Sequence, residues 1–154
     1  MINTVYVIAG PTATGKSDLS ISLANKVNGA VINSDSMQVY KNLEILTARP
    51  SINEMKSIGH HLYGFVDGND RYNVERWCND AAEVIKKTSA NNLTPILVGG
   101  TGLYINTLIN GLIDLPSIPE LIKIESEKIL QEFGKDFLIN QIKHIDPESL
   151  KEIN

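Results

Sequence analysis

The stretch GPTATGKS at residues 10–17 follows VYVIA, a short apolar run at residues 5–9. Two glycines bracket four residues and then a lysine and a hydroxyl, the spacing G-x-x-x-x-G-K-S, with Gly10, Gly15, Lys16 and Ser17 at its defined positions. An apolar strand running into such a loop predicts that the backbone N–H groups of Pro11, Thr12, Ala13, Thr14 and their neighbours, proline excepted, wrap an anion at a helix N-terminus. Lys16 adds a positive charge, and the Ser17 hydroxyl is the group that can ligate a magnesium ion, Mg²⁺. A tight strand-to-helix turn would account for either glycine alone but not for the Lys16-Ser17 pair. The pattern is specific for phosphate and says little about which phosphate.

Working outward, the helix after the loop is expected from Lys16, with Leu19, Leu23 and Val27 on one stripe and Asn28-Gly29 as its stop. Residues 30–33 read as a second strand opening into Ser34-Asp35-Ser36, and residues 61–66 as a weaker third. Asn73 is placed to cap a helix whose stripe is Val74, Trp77, Ala81, Val84 and Ile85, ended by Asn91-Asn92. Residues 95–98 form another buried strand, and Gly99-Gly100-Thr101-Gly102 leads into a helix carrying Leu103, Leu108 and Leu112. The run at residues 5–10 has the character of a strand covered on both faces. Strands alternating with helices of this length predict an α/β fold, a P-loop NTPase-like parallel sheet with flanking helices. After Pro116 only helical spacing persists, through Leu121, Ile129, Phe133, Phe137, Ile142 and Ile145, and Asp146-Pro147 resembles a cap and first helical position. The expected division is a P-loop core over residues 1–115 and a helical segment over residues 116–154. The sheet is one or two strands short of what such a domain closes with, so the pattern reads as part of a domain.

The bulk properties narrow the classes. The 154 residues are 42% hydrophobic and 21% charged, which suits a globular domain rather than a disordered chain. A net charge of −4 with only three arginines argues against a surface wholly committed to nucleic acid, although a local basic patch remains compatible. The lone Cys78 has no partner for an internal disulfide and sits among Trp77, Ala81 and Ala82, a packing position. No apolar run reaches membrane-spanning length, and only four residues precede the first strand; the expected location is the cytoplasm, without a membrane.

Ligands in open α/β sheets bind beyond the carboxyl ends of the strands, which gathers residues 10–17, 34–38 and 99–101 around one crevice. There Asp35 has three open roles: metal ligand, general base or helix cap. Thr101 stands in a glycine-rich turn as a ligand contact, an N-cap, or both. His60 and His61 point to opposite faces of an extended chain, so zinc is not expected. Tyr40 and Tyr104 can stack on a base but more often pack in a core, and the lysines at residues 86–87 and 123–128 read as solvated helix faces.

Five blocks in order, GPTATGKS at 10–17, NSDSMQVY at 33–40, TARP at 47–50, GHHL at 59–62 and ILVGGTGLY at 96–104, closely resemble the tRNA dimethylallyltransferase (tRNA isopentenyltransferase) family. The likeness runs from about residue 4 to the C-terminus, with the helical tail resembling the start of that family's inserted helical domain. The resemblance implies transfer of a dimethylallyl group from dimethylallyl diphosphate, with Mg²⁺, to N6 of the adenosine on the 3′ side of a tRNA anticodon. It assigns Asp35 the role of proton acceptor, Thr101 a supporting contact near the reacting atoms, and Asp35, Ser36, Met37, Gln38 and Thr101 contacts with tRNA. Two positions depart from the family: Leu46 stands where glycine is common, and Leu121 aligns with a tRNA-contacting arginine for which Lys123 is the substitute. The family is about twice this long, so a complementary C-terminal fragment is an expected partner. A nucleotide or metabolite kinase, which the P-loop alone would permit, and a binding fragment without catalysis are the alternatives; free AMP is an alternative acceptor.

Overall fold

The computed structural model describes residues 4–55, 58–111, 118–148 and 150. Its contacts divide the chain into two compact units, Met1–Leu112 and Ile113–Asn154.

The first unit is built on four parallel strands, β1 (Tyr6–Ala9), β2 (Gly29–Asn33), β3 (His60–His61) and β4 (Thr94–Gly99), in the order β1-β4-β2-β3. The last strand in sequence therefore lies second in space, between β1 and β2, and is almost wholly buried. Alternation along β2 and β4 sorts their side chains into two cores. Val31, Ile96 and Val98 face α1 (Lys16–Val27) with Ala24, while Ile32 and Leu97 pack with Trp77, Ala81, Ile85 and Tyr104 on the opposite side. The latter residues belong to α3 (Val74–Ala90) and α4 (Gly102–Asn110); α2 (Ile52–Met55) is a single turn. The Asn73 cap forms as expected, its side chain accepting from Arg76 N at 2.9 Å. Helices on both faces of a parallel sheet make this the expected P-loop NTPase-like α/β architecture.

Four details of the sequence reading are corrected. β1 is not covered on both faces: β4 takes the interior place, β1 has one strand neighbour among the described residues, and Tyr6 and Val7 are exposed. The third strand is two residues long rather than six, because Leu62 (φ 62°) and Gly64 (φ 55°) turn the chain out of extended geometry; Val66 returns only as an isolated bridge to Tyr40. Leu19 is 57% exposed, since α1 approaches the sheet through the smaller Ser20 and Ala24. Leu103 is 61% exposed, and α4 turns Tyr104 and Thr107 inward instead. Leu112 lies outside the described residues.

In the second unit, α5 (Glu120–Ile145) is interrupted at Gly134 (φ 78°, ψ 175°), so it consists of two helical pieces. Phe133 and Phe137 face each other across this break with ring centroids 4.9 Å apart. The helix expected from Asp146-Pro147 to Asn154 does not start there: residues 147–148 form a turn, and residues 149 and 151–154 lie outside the described residues.

Candidate active site

Three strand ends build the site. After β1, the chain turns through Ala13 (φ 64°) and Gly15 (φ 79°) into α1, whose N-cap carries no side-chain hydrogen bond. The first-turn N–H groups therefore remain available to an anion, in a field that favours negative charge. Two side chains brace the loop from within: Thr14 Oγ1 donates to the Pro11 carbonyl at 2.9 Å, and the Lys16 ammonium donates to the same oxygen.

After β2, the buried Asn33 grips the backbone of residue 35 twice. Its Oδ1 accepts from Asp35 N at 2.9 Å, and its Nδ2 donates to Asp35 O at 2.9 Å and to Leu62 O at 3.0 Å. The Asp35 carboxylate accepts from Met37 N at 2.9 Å and Gln38 N at 3.4 Å, so it caps the turn that follows. A cap and a reactive carboxylate are compatible here, since both hydrogen bonds fall on Oδ1 and Oδ2 accepts none among the described residues. Asn33 was not singled out in the sequence; a polar residue closing an apolar strand just before an acid was the signal available.

After β4, Gly99 allows two strand ends to meet. A Cβ there would stand 2.4 Å from Ser34 C and 2.5 Å from Ser34 O, closer than atoms tolerate. Ser34 Oγ is buried without a hydrogen-bond partner among the described residues. Gly99→Ala is expected to push β2 and β4 apart and cost about 1–3 kcal/mol, the usual range for forcing a group into packed space. Denaturant titration checks this; an unchanged midpoint would mean the ends separate freely. Thr101 is the N-cap residue of α4 by position, yet its hydroxyl makes no capping bond. It reaches across to the β2 loop, where Oγ1 accepts from Ser36 N at 3.0 Å and lies 3.3 Å from Ser36 Oγ.

Two adjoining cavities result. One is lined by Thr12, Ala13, Thr14, Gly15, Lys16, Ser17 and Asp18, with Asp35, Gln38, Thr47, Ala48, Tyr63, Val98 and Gly99. The other is lined by Gly10, Pro11, Thr12, Asp35, Ser36, Met37, Gly100 and Thr101. Asp35 and Thr12 belong to both. The first unit thus brings together every candidate residue of 10–17, 35–38 and 101, while Lys123 lies in the second unit, on α5, 3.3 Å from Glu120 Oε2.

Burial, and secondarily the Asp35 charge, pushes the Tyr63 phenol well above its ordinary range. Burial likewise raises the Cys78 thiol and lowers His61, the latter with help from His60. Tyr104 is stacked on Trp77 at 4.6 Å and belongs to the core. Among the described residues no group of three or more His, Cys, Asp or Glu could hold a metal, and no helix is long and apolar enough to cross a membrane. Sequence reasoning missed Tyr63 as a cavity residue because it fell within the expected third strand.

Comparison with known proteins gives a consistent result. A family model described as IPP transferase matches residues 38–154, and one described as isopentenyl transferase matches residues 3–63. The chain is 43% identical to a tRNA dimethylallyltransferase of Rhizobium etli over 153 residues, covering 99% of this chain and 52% of that protein. It is 46% identical to that of Hyphomonas neptunium, covering 96% and 46%. The chain spans about half the length of the curated relatives it matches. Among solved structures, a eukaryotic dimethylallyltransferase acting on tRNA superposes with a TM-score of 0.82 at 36% identity, covering 97% of this chain and 37% of that one. The full-length tRNA isopentenylpyrophosphate transferase of Bacillus halodurans gives 0.70 at 35%, covering 98% and 50%.

Proposed function

The chain belongs to the IPP transferase family, and from that premise we propose that it carries the donor-binding and proton-accepting parts of a dimethylallyl transfer to N6 of the adenosine 3′ to a tRNA anticodon. The observation that carries the reading is the position of Asp35, a wall of both the phosphate-loop cavity and the Thr101 cavity. Dimethylallyl diphosphate occupies the first cavity and the adenine the second, so that the two substrates meet at Asp35.

The chemistry follows from that juxtaposition. The allylic C1–O bond breaks as N6 attacks C1, and negative charge accumulates on the departing diphosphate. Loop amides and Lys16 are fixed where that charge grows, so they stabilise the transition state more than the ground state. An adenine amine is far too weak an acid for a carboxylate to deprotonate beforehand. Once the N6–C1 bond is forming, nitrogen turns cationic and its proton passes to Asp35. The adenosine must leave its stack to reach the cavity. Asp35, Ser36, Met37, Gln38, Thr101 and Lys123 are the proposed tRNA contacts, and the cytoplasm is the proposed location.

The donor set suits magnesium: Ser17 and Asp18, both on the cavity wall, offer hard oxygen atoms, and Mg²⁺ commonly takes one or two protein oxygens with the rest from phosphate and water. When bound, the ion neutralises charge on the diphosphate. A complementary C-terminal segment, matching the half of the relatives that this chain does not cover, is the proposed partner for full transfer.

Calorimetry tests the donor site directly. Dimethylallyl diphosphate and inorganic pyrophosphate are expected to bind, with phosphate transfer from ATP undetectable. Lys16→Ala should weaken pyrophosphate binding by about 10- to 100-fold, the loss of a hydrogen bond to a charged group. Unchanged affinity in that variant would count against the cradle.

A further inference from the structure

Tyr63 occupies a place in the first cavity that neither phosphate binding nor proton acceptance explains. It sits between two residues in the left-handed region, Leu62 (φ 62°) and Gly64 (φ 55°). For leucine this conformation costs on the order of 1–2 kcal/mol, and surrounding bonds must hold it. They do: Asn33 Nδ2 donates to Leu62 O at 3.0 Å, and Gly64 N donates to Gln38 O at 2.9 Å. Arg49 closes the underside of Gly64, where a Cβ would lie 1.8 Å from its Nη1. The result is a bend held from both sides that places Tyr63 on the wall of the cavity the phosphate loop also lines. The ring packs on the cluster containing Val31 and Val98, with His60 behind it at a centroid distance of 5.7 Å.

We propose that Tyr63 is the end wall of the donor's hydrocarbon pocket and limits the donor to a five-carbon tail. This rests on the donor reading above. With the diphosphate on the loop amides and C1 facing Asp35, the tail fits the apolar part of the same cavity, walled by Ala48, Tyr63 and Val98. These are its apolar surfaces apart from the loop's own Ala13. Burial keeps the phenol protonated and uncharged across the working pH range, so the wall presents no anion to the diphosphate. A hydrophobic pocket distinguishes a tail shorter or longer by one methylene only modestly, whereas a rigid ring in the path of a second isoprene unit rejects it sterically.

The test is calorimetry on the whole chain with inorganic pyrophosphate, dimethylallyl diphosphate and geranyl diphosphate. The wild-type chain should bind the five-carbon donor at least about 30-fold more tightly than the ten-carbon one, and Tyr63→Ala should bring the two within about threefold, with pyrophosphate affinity unchanged. Tyr63→Phe keeps the ring and should keep the preference. Tyr63→Trp, a larger ring in the same place, should weaken dimethylallyl diphosphate alone, and this arm stands even if the alanine variant does not fold. An undiminished preference in Tyr63→Ala with pyrophosphate still bound would overturn the wall and leave the donor site intact. Loss of the preference in Tyr63→Phe would overturn it in favour of a role for the hydroxyl. Failure of the wild-type chain to bind pyrophosphate would remove the donor reading and this inference together.

Discussion

Asp35→Asn is expected to reduce prenyl transfer by about 100- to 10,000-fold, the span general-base catalysis contributes. Asparagine is nearly isosteric with aspartate, and its Oδ1 can still accept from Met37 N and Gln38 N, as the carboxylate does at 2.9 and 3.4 Å. The Asn33 grip falls on the backbone of residue 35 and does not depend on that side chain. The turn should therefore survive while the proton acceptor is lost. Pyrophosphate affinity should stay within about threefold, because charges separated by solvent interact weakly. The measurement is N6 modification of tRNA with the complementary C-terminal segment supplied, alongside calorimetry with pyrophosphate. Turnover equal to that of the wild type would remove Asp35 from the proton-accepting role, and a parallel loss of pyrophosphate binding would mean the substitution had disturbed the cradle instead.

Trp77→Ala is expected to cost about 3–5 kcal/mol of unfolding free energy, the range for deleting a buried large aromatic. Trp77 is fully buried on α3, its ring stacks on Tyr104 of α4 with planes 19° apart, and its Nε1 donates to Asn33 O at 2.9 Å. That one side chain ties the helix layer to the residue that grips Asp35, so the damage should reach the site. Trp77→Phe retains most of the packing and stacking but removes the N–H, and should cost about 1–3 kcal/mol. Because Trp77 is the chain's single tryptophan, circular dichroism must follow the denaturant transition in place of intrinsic fluorescence. A midpoint within experimental scatter of the wild type in the alanine variant would mean that this core is less cooperative than its burial implies. A large loss in alanine with none in phenylalanine would assign the whole effect to packing rather than to the hydrogen bond.

Much of the candidate site is legible in the sequence. The phosphate loop at residues 10–17 announces itself through glycine, lysine and hydroxyl spacing, because that geometry demands those residue types locally. The Asn73 cap and the Trp77, Ala81 and Ile85 stripe of α3 were equally plain, since a cap and a 3.6-residue period are properties of a single helix. The sequence locates Asp35 with three open roles, and the structure finds it capping a turn while lining both cavities. The bonds that hold Tyr63 in its bend, Asn33 to Leu62 and Gly64 to Gln38, join residues far apart in the chain, and local spacing does not predict them.

From residue order alone came the α/β class, the phosphate loop, the crevice at the strand ends and the family likeness, all of which rest on local spacing or on blocks in sequence. Tertiary structure alone decided that β4 lies between β1 and β2, which exposes Tyr6 and Val7 at the edge of the sheet. It also decided that Thr101 bonds to Ser36 rather than capping α4, and that Leu19 and Leu103 face outward. The physical reason is common to these cases. An apolar period records that a face will be covered but not by what, and a hydroxyl takes the hydrogen-bond partner that sheet order places beside it, here one 65 residues away along the chain.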